Sequence, residues 1–332
     1  MDSDKLQVMA ATLVPSVRKN TDFNCMELVD AILLTSLGSG GPFADEFNYN
    51  SLLSMTQTWV NNPDTIPPVL KFNHVEDVEQ YLIDMSKKQK MIESRVIHFL
   101  REVNKLGFRR EDIQFVYISG KKNTHPKVAE LNVGLDAKEC KADIYIEKTN
   151  GEMIGWSCKQ CGGATKSNYS VTKMLGGEDE KLLSTIKLDY LTENGFPKHD
   201  KSNRGQVNRL FYPNKKDNKY WNTMREKIQE KKNVVLEGLV LPLLGLNVKY
   251  PLYEFNGKTI HMLNDDLEDV LSKSSLEEYL PYYLNKKGQQ RSAAKMFYQL
   301  VVDKKKYKVE IRWKGNVHTC SPQFQIHDDF HF

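Results

Sequence analysis

Residues 142–159 constrain this chain more tightly than any other stretch. Ala142–Glu147 (ADIYIE) alternates and is rich in β-branched and aromatic side chains, the pattern of a half-buried strand. Thr149-Asn150-Gly151 follows, and Asn-Gly is the dipeptide that a two-residue hairpin turn demands. Glu152–Lys159 (EMIGWSCK) then reads as the returning strand, broken by Gly162-Gly163. Side chains alternate across a strand, so Ser157 and Lys159 share a face. A tight hairpin sets Asp143, at the start of the first strand, opposite the end of the second. A carboxylate and a lysine are therefore expected to meet at one sheet edge.

The flanking segments extend this hairpin into a layered domain. Residues 1–65 read as helices and loops, with Cys25–Leu37 stopping at Gly38-Ser39-Gly40-Gly41. Val75, Val78, Leu82, Met85, Ile92, Val96, Phe99 and Val103 recur at helical spacing and predict one long helix over 74–107. Gln114–Ser119 (QFVYIS) predicts a strand. Asn168–Tyr190 predicts a helix with a kink at Gly176-Gly177, and Tyr220–Lys232 a charged helix. Val234–Leu241, Thr259–Leu263 and Tyr307–Trp313 predict strands, and Leu276–Tyr283 and Gln289–Val302 helices. The order of helix, strand, hairpin, helix and further strands predicts an α/β fold with a central mixed sheet flanked by helices. The expected division is an N-terminal helical region over 1–70 packed on a core of 71–332.

Composition excludes several classes. No run of about 18 apolar residues exists, so no membrane span is expected. The N-terminus lacks the charged-then-apolar layout of a signal peptide, and an intracellular (cytoplasmic), soluble protein is expected. The five cysteines, Cys25, Cys140, Cys158, Cys161 and Cys320, are odd in number and scattered, as free thiols are. Cys158 and Cys161 form a CxxC without the second half-site that structural zinc needs. The net charge of +4 is unevenly spread: residues 1–86 carry 4 basic and 12 acidic side chains, and 196–232 carry 11 basic and 4 acidic. A basic segment of this kind suits a polyanionic partner, although charge alone favours a solvated loop with lysines for solubility.

The carboxylate and lysine of the hairpin suit phosphodiester hydrolysis. A carboxylate holds a hard divalent cation through oxygen, the cation activates water at the phosphate, and a lysine stabilises the attacking hydroxide or the developing charge. The backbone carbonyl of Cys158 is a candidate further ligand. Asp143 followed by Ser157-Cys158-Lys159 after a short hairpin resembles the catalytic signature of the PD-(D/E)xK nucleases. Gln160–Lys173 and Lys308–Asp328 resemble segments of type II restriction endonucleases, and the core likeness covers roughly residues 75–191. Ala142 replaces the motif proline. More consequentially, Ser157 stands where the motif acid belongs. The resemblance implies that a helix acid takes over: Glu178 first, beside Asp179 and Glu180, or Glu93 on the preceding helix.

The resemblance also implies a Mg²⁺-dependent, sequence-specific type II restriction endonuclease. It would act as a homodimer on a short palindrome of double-stranded DNA, because two-fold symmetry gives each strand one active site. The products would carry 5′-phosphate and 3′-hydroxyl ends. A repair or recombination nuclease of the same superfamily, or a DNA-binding protein without catalysis, are the alternatives. Lys121, Lys122, Lys166, Lys173, Arg204 and Arg209 are candidate phosphate contacts. Asn203, Arg204, Gln206, Asn208 and Arg209 form one cluster of base-reading side-chain types, and Arg312, Asn316, Gln323 and Gln325 form another.

Overall fold

The computed structural model describes residues 21–36, 47–119, 125–135, 140, 142–159, 167–212, 218–246, 248–263, 267–285, 287–289, 291 and 294–328. In chain order the principal elements are α1 (Cys25–Thr35), α2 (Tyr49–Asn61), β1 (Leu70–Lys71), α3 (Val78–Ser86), α4 (Gln89–Glu102), β2 (Ile113–Ile118) and α5 (Pro126–Leu131). The hairpin β3 (Ile144–Lys148) and β4 (Met153–Cys158) comes next, then β5 (Ser167–Ser170), α6 (Val171–Leu175), α7 (Gly177–Glu193), α8 (Arg204–Leu210), α9 (Lys219–Glu230) and α10 (Lys232–Leu244). The chain closes with β6 (Leu252–Phe255), β7 (Ile260–Met262), α11 (Leu267–Ser272), β8 (Ser275–Glu278), β9 (Lys295–Val302), β10 (Lys305–Trp313) and β11 (Pro322–Asp328). It divides into two compact units, 1–162 with 247–264 and 163–246 with 265–332. This division differs from the expected one at residue 70, because the N-terminal helices share one apolar core with the first sheet.

The first unit is built on a mixed sheet of order β1-β2-β3-β4-β6-β7. Strands β2, β3 and β4 form an antiparallel meander, and β6 runs parallel to β4. The alternation read from the hairpin sorts its side chains. Ile144, Ile146, Ile154 and Trp156 pack with Val116, Ile118 and Phe255 against the N-terminal helices. Tyr145 lies on the other face with Tyr117, Leu252, Tyr250 and Val128 of α5. The protein is thus α/β, with a mixed central sheet flanked by helices. Helix α1 starts where expected, because Asn24 and Glu27 form a capping box. The long helix expected over 74–107 is instead interrupted at Lys87 and Lys88 between α3 and α4, and Gly107 terminates the segment at φ +67°. Ser86 Oγ donates to the Ile83 carbonyl at 2.8 Å, the local competition by which serine ends a helix.

The second unit has an antiparallel sheet of order β5-β11-β10-β9-β8. Its apolar face, with Leu300, Val309, Ile311, Phe324 and Ile326, packs on Val171, Leu183, Trp221, Leu239 and Val240 of the helices. Three expectations fail here. Val234–Leu241 lies within helix α10 rather than a strand, because a short apolar run cannot by itself separate a buried helix from a buried strand. The expected helix over 276–283 is strand β8 followed by a short 3₁₀ turn, Leu280–Tyr283. The expected helix over 289–302 is strand β9, which pairs with β10 through Asp303 and Lys304 at φ +42° and +68°. That turn carries no glycine or Asn-Gly to announce it. Among the described residues no helix is long and apolar enough to cross a membrane.

Gly155, in the middle of β4, is required by packing. A Cβ built there would lie 2.5 Å from the Tyr250 ring and 2.8 Å from Leu252 Cδ1. Gly155→Ala is expected to destabilise the protein by about 1–3 kcal/mol through overpacking, read as a lowered midpoint of urea unfolding.

Candidate active site

The hairpin register pairs Ile144 with Trp156, which sets Asp143 beside Ser157. The Asp143 main chain is held on both sides: its N–H donates to the Trp156 carbonyl at 2.8 Å, and its carbonyl accepts from Ser119 at 2.9 Å. The Asp143 carboxylate then bends over the end of β4. Its Oδ2 accepts the Cys158 N–H at 2.7 Å and lies 3.5 Å from Ser157 Oγ and 3.7 Å from Lys159 Nζ. The structure therefore brings Asp143 and Lys159 together at one sheet end. The Asp143 side chain is 30% exposed and that of Lys159 16%.

A buried ion pair lies beneath this sheet end. Arg95 of α4 meets Asp30 of α1 through two hydrogen bonds of 2.5 and 2.6 Å, and both residues are almost wholly buried. Trp156 Nε1 donates to Asp30 Oδ2 at 2.9 Å. The same guanidinium donates to the carbonyls of Lys159 at 2.7 Å and Phe255 at 3.3 Å, and reaches Cys158 Sγ at 3.2 Å. It also lies over the Phe255 ring at 4.3 Å. Arg95 thus fixes the main chain from which the Lys159 side chain departs. Burial, with the charge of Asp30, pushes the Cys158 thiol well above its ordinary range despite the opposing guanidinium, so Cys158 is a packed thiol rather than a nucleophilic thiolate.

The expected helix acids are differently engaged. Glu93 accepts from Gln89 at 2.8 Å; burial, with the charge of Glu93, pushes the Tyr49 phenol up to about 12. None of these described contacts of Glu93 is with Asp143. Glu178, Asp179 and Glu180 belong to the second unit, in the first turn of α7. Glu178 is exposed there. Asp179 is bound by Lys231 at 2.6 Å and Lys227 at 3.6 Å, which lower its pKa, and Glu180 accepts from Thr172 at 3.1 Å. Among the described residues no group of three or more His, Cys, Asp or Glu stands ready to hold a metal. The oxygen donors at the sheet end fit a hard cation such as Mg²⁺, which keeps several waters and takes one or two carboxylates.

One residue at this end was not anticipated. The parallel pairing of β6 with β4 sets Glu254 directly beside Ser157. Glu254 is 6% exposed. The signal was the short alternating run Leu252–Phe255, bounded by Pro251 and by Asn256-Gly257.

Most of the candidate DNA contacts lie in the second unit. Lys121, Lys122 and Lys166 fall outside the described residues. Lys173 is exposed on α6, and Arg204, Gln206 and Arg209 are exposed on α8, with Asn203 half-buried before it. Arg312 and Gln323 face each other across β10 and β11, and Gln325, opposite Glu310, is 1% exposed. The two clusters read from the sequence converge in part: Arg204, Asn208 and Asn316 line one cavity of about 310 Å³ with His199, Lys201 and His318. Comparison of the chain with protein-family models, characterised proteins and solved structures gave no match.

Arg95→Met is expected to cost about 3–5 kcal/mol, because it leaves the Asp30 carboxylate buried without its cation. The double substitution Asp30→Leu with Arg95→Met should recover most of that loss in urea unfolding, since neither partner is then left as a buried charge without its counter-ion.

Proposed function

We propose that this protein is a Mg²⁺-dependent endonuclease of the PD-(D/E)xK type, acting on double-stranded DNA as a type II restriction endonuclease does. The observation that carries this reading is Asp143 Oδ2 at 3.7 Å from Lys159 Nζ at one end of the mixed sheet. The topology supports it: an antiparallel meander β2-β3-β4, preceded by helix α4, with β6 parallel to β4. Ligands of α/β sheets gather outside the carboxyl ends of the strands, and Ser157, Lys159 and Glu254 stand at or beside the carboxyl ends of β4 and β6.

In this reading Asp143 and the Cys158 carbonyl hold the cation. When bound, Mg²⁺ lowers the pKa of a ligated water and offsets charge on the phosphate. The Cys158 N–H and the Ser157 hydroxyl fix the Asp143 carboxylate so that it faces the scissile group. The Lys159 ammonium donates to the attacking water and to a non-bridging phosphate oxygen, where negative charge grows. The water gives up one proton to solvent as its oxygen joins phosphorus, and the bond to the 3′ oxygen breaks. That oxygen takes up a proton, leaving 3′-hydroxyl and 5′-phosphate ends. Lys173, Asn203, Arg204, Gln206 and Arg209, with Arg312 and Gln323, supply the phosphate and base contacts in the second unit, while Gln325 is buried and takes no part. A second copy of the chain provides the active site for the other strand.

Purified protein with Mg²⁺ should cut plasmid DNA into discrete fragments. Asp143→Asn and Lys159→Ala should each slow cutting by at least about 100-fold, as loss of one group aimed at transition-state charge does. Equal cutting by both variants would refute the site. Cutting confined to branched or damaged DNA would favour a repair nuclease. Salt-sensitive binding with no cleavage in Mg²⁺ or Mn²⁺ would leave a DNA-binding protein.

A further inference from the structure

We infer that Glu254 supplies the second metal-binding carboxylate in place of the acid missing at Ser157, a refinement that rests on the nuclease reading above. The three residues form a row across three strands. Asp143 precedes β3, Ser157 stands beside it on β4, and Glu254 is the register partner of Ser157 on β6. Register partners point to the same face of a sheet, so Ser157 and Glu254 leave from one side, as does Lys159 two residues beyond Ser157; the Asp143 carboxylate joins that row with Oδ2 at 3.5 Å from Ser157 Oγ.

That face changes character along its length. Over most of the first unit it carries Tyr117, Tyr145, Tyr250 and Leu252 in an apolar cluster. At the carboxyl ends of β4 and β6 it carries Asp143, Ser157, Lys159 and Glu254 instead. Two strand spacings put about 10 Å between the main chains of Asp143 and Glu254. Ser157, the residue between them, has the shortest polar side chain and is fully buried, so the longer side chains on either side extend beyond it. An ion with oxygen bonds of about 2.1 Å bridges that gap, and the extra methylene of glutamate lengthens the reach from the farther strand. A glutamate at 157 would rise from the middle strand, and Glu254 reaches the same place from the next strand over. Helix acids are then not needed: Glu93 is held by Gln89, and Asp179 by Lys231 and Lys227.

The test uses Tb³⁺ as the cation probe on the full chain, read by luminescence sensitised through the protein's aromatic groups, together with plasmid cleavage in Mg²⁺. Glu254→Gln should weaken Tb³⁺ binding by at least tenfold and slow cleavage by about 100-fold, no less than the loss of an outer-shell partner costs. Placing the acid at the motif position, Ser157→Glu in the Glu254→Gln background, should restore a substantial part of both, which a merely structural Glu254 would not allow. Should Glu254→Gln fail to fold by circular dichroism, Glu254→Asp decides instead. It keeps the charge, shortens the arm, and should weaken Tb³⁺ binding while the thermal melt stays near wild type. Wild-type Tb³⁺ binding in a folded Glu254→Gln variant overturns the inference, as does loss of binding in Glu93→Gln or Glu178→Gln with Glu254→Gln unaffected. A wild-type chain that cuts DNA while Glu254→Gln cuts equally well leaves the nuclease reading standing and removes Glu254. A chain that binds Tb³⁺ through Glu254 but cuts no DNA leaves the cation site standing and removes the nuclease reading.

Discussion

The Asp30 carboxylate and the Arg95 guanidinium, both withdrawn from water, organise the sheet end at which the candidate site lies. Removing two such ions from water costs several kcal/mol each, and only close geometry with every polar atom engaged offsets it. Here the geometry is bidentate, and the remaining donors of Arg95 turn to the carbonyls of Lys159 and Phe255. Helices α1 and α4 and strands β4 and β6 thereby meet on one guanidinium. A hydrophobic core alone fixes layers and leaves strand ends free to fray. The ion pair fixes the positions of particular carbonyls, and the side chain of Lys159 departs from one of them.

Above that clamp the sheet presents polar groups in register. Asp143 is oriented by a main-chain N–H and a serine hydroxyl, and Lys159 approaches it at 3.7 Å. Both side chains are only partly buried, so each keeps an edge toward solvent. The buried thiol of Cys158 marks the boundary between the two layers. Its sulfur faces Arg95 in the core, while its N–H faces Asp143 on the open side.

The second unit divides its own work along the same lines. Its antiparallel sheet buries one face on helices α6, α7, α9 and α10, and long polar side chains of β10 and β11 occupy the other. Arg204 and Asn208 on one helix and Asn316 in a distant loop line a single cavity. Nothing in their separation along the chain announced that meeting, because loop closure between residues so far apart is set by the sheet that joins them.

The hairpin of residues 142–159 was legible in the sequence because every determinant of it is local. Strand alternation, the Asn-Gly turn and the spacing from Asp143 to Lys159 together set the register, and with it the pairing of carboxylate and lysine. The N-terminal helix Cys25–Thr35 and the helical stretch over 78–102 were legible for the same reason, apart from the break at Lys87-Lys88, whereas the short helix Pro126–Leu131 was not read. Strands β8 and β9 and helix α10 were misread because their short apolar runs fit both periods, and the Asp303-Lys304 turn lacks a glycine. Asp30, Arg95 and Glu254 took their places only in the structure: Arg95 lies 65 residues from Asp30, 64 from Lys159 and 160 from Phe255 along the chain, and Glu254 meets Ser157 only through the pairing of β6 with β4. Their roles come from pairing between strands and helices distant in the chain, a long-range contact that no local pattern encodes. The sequence by itself determined which residues could form a reactive pair. Only the tertiary structure decided what holds that pair in place and which carboxylate stands beside the serine.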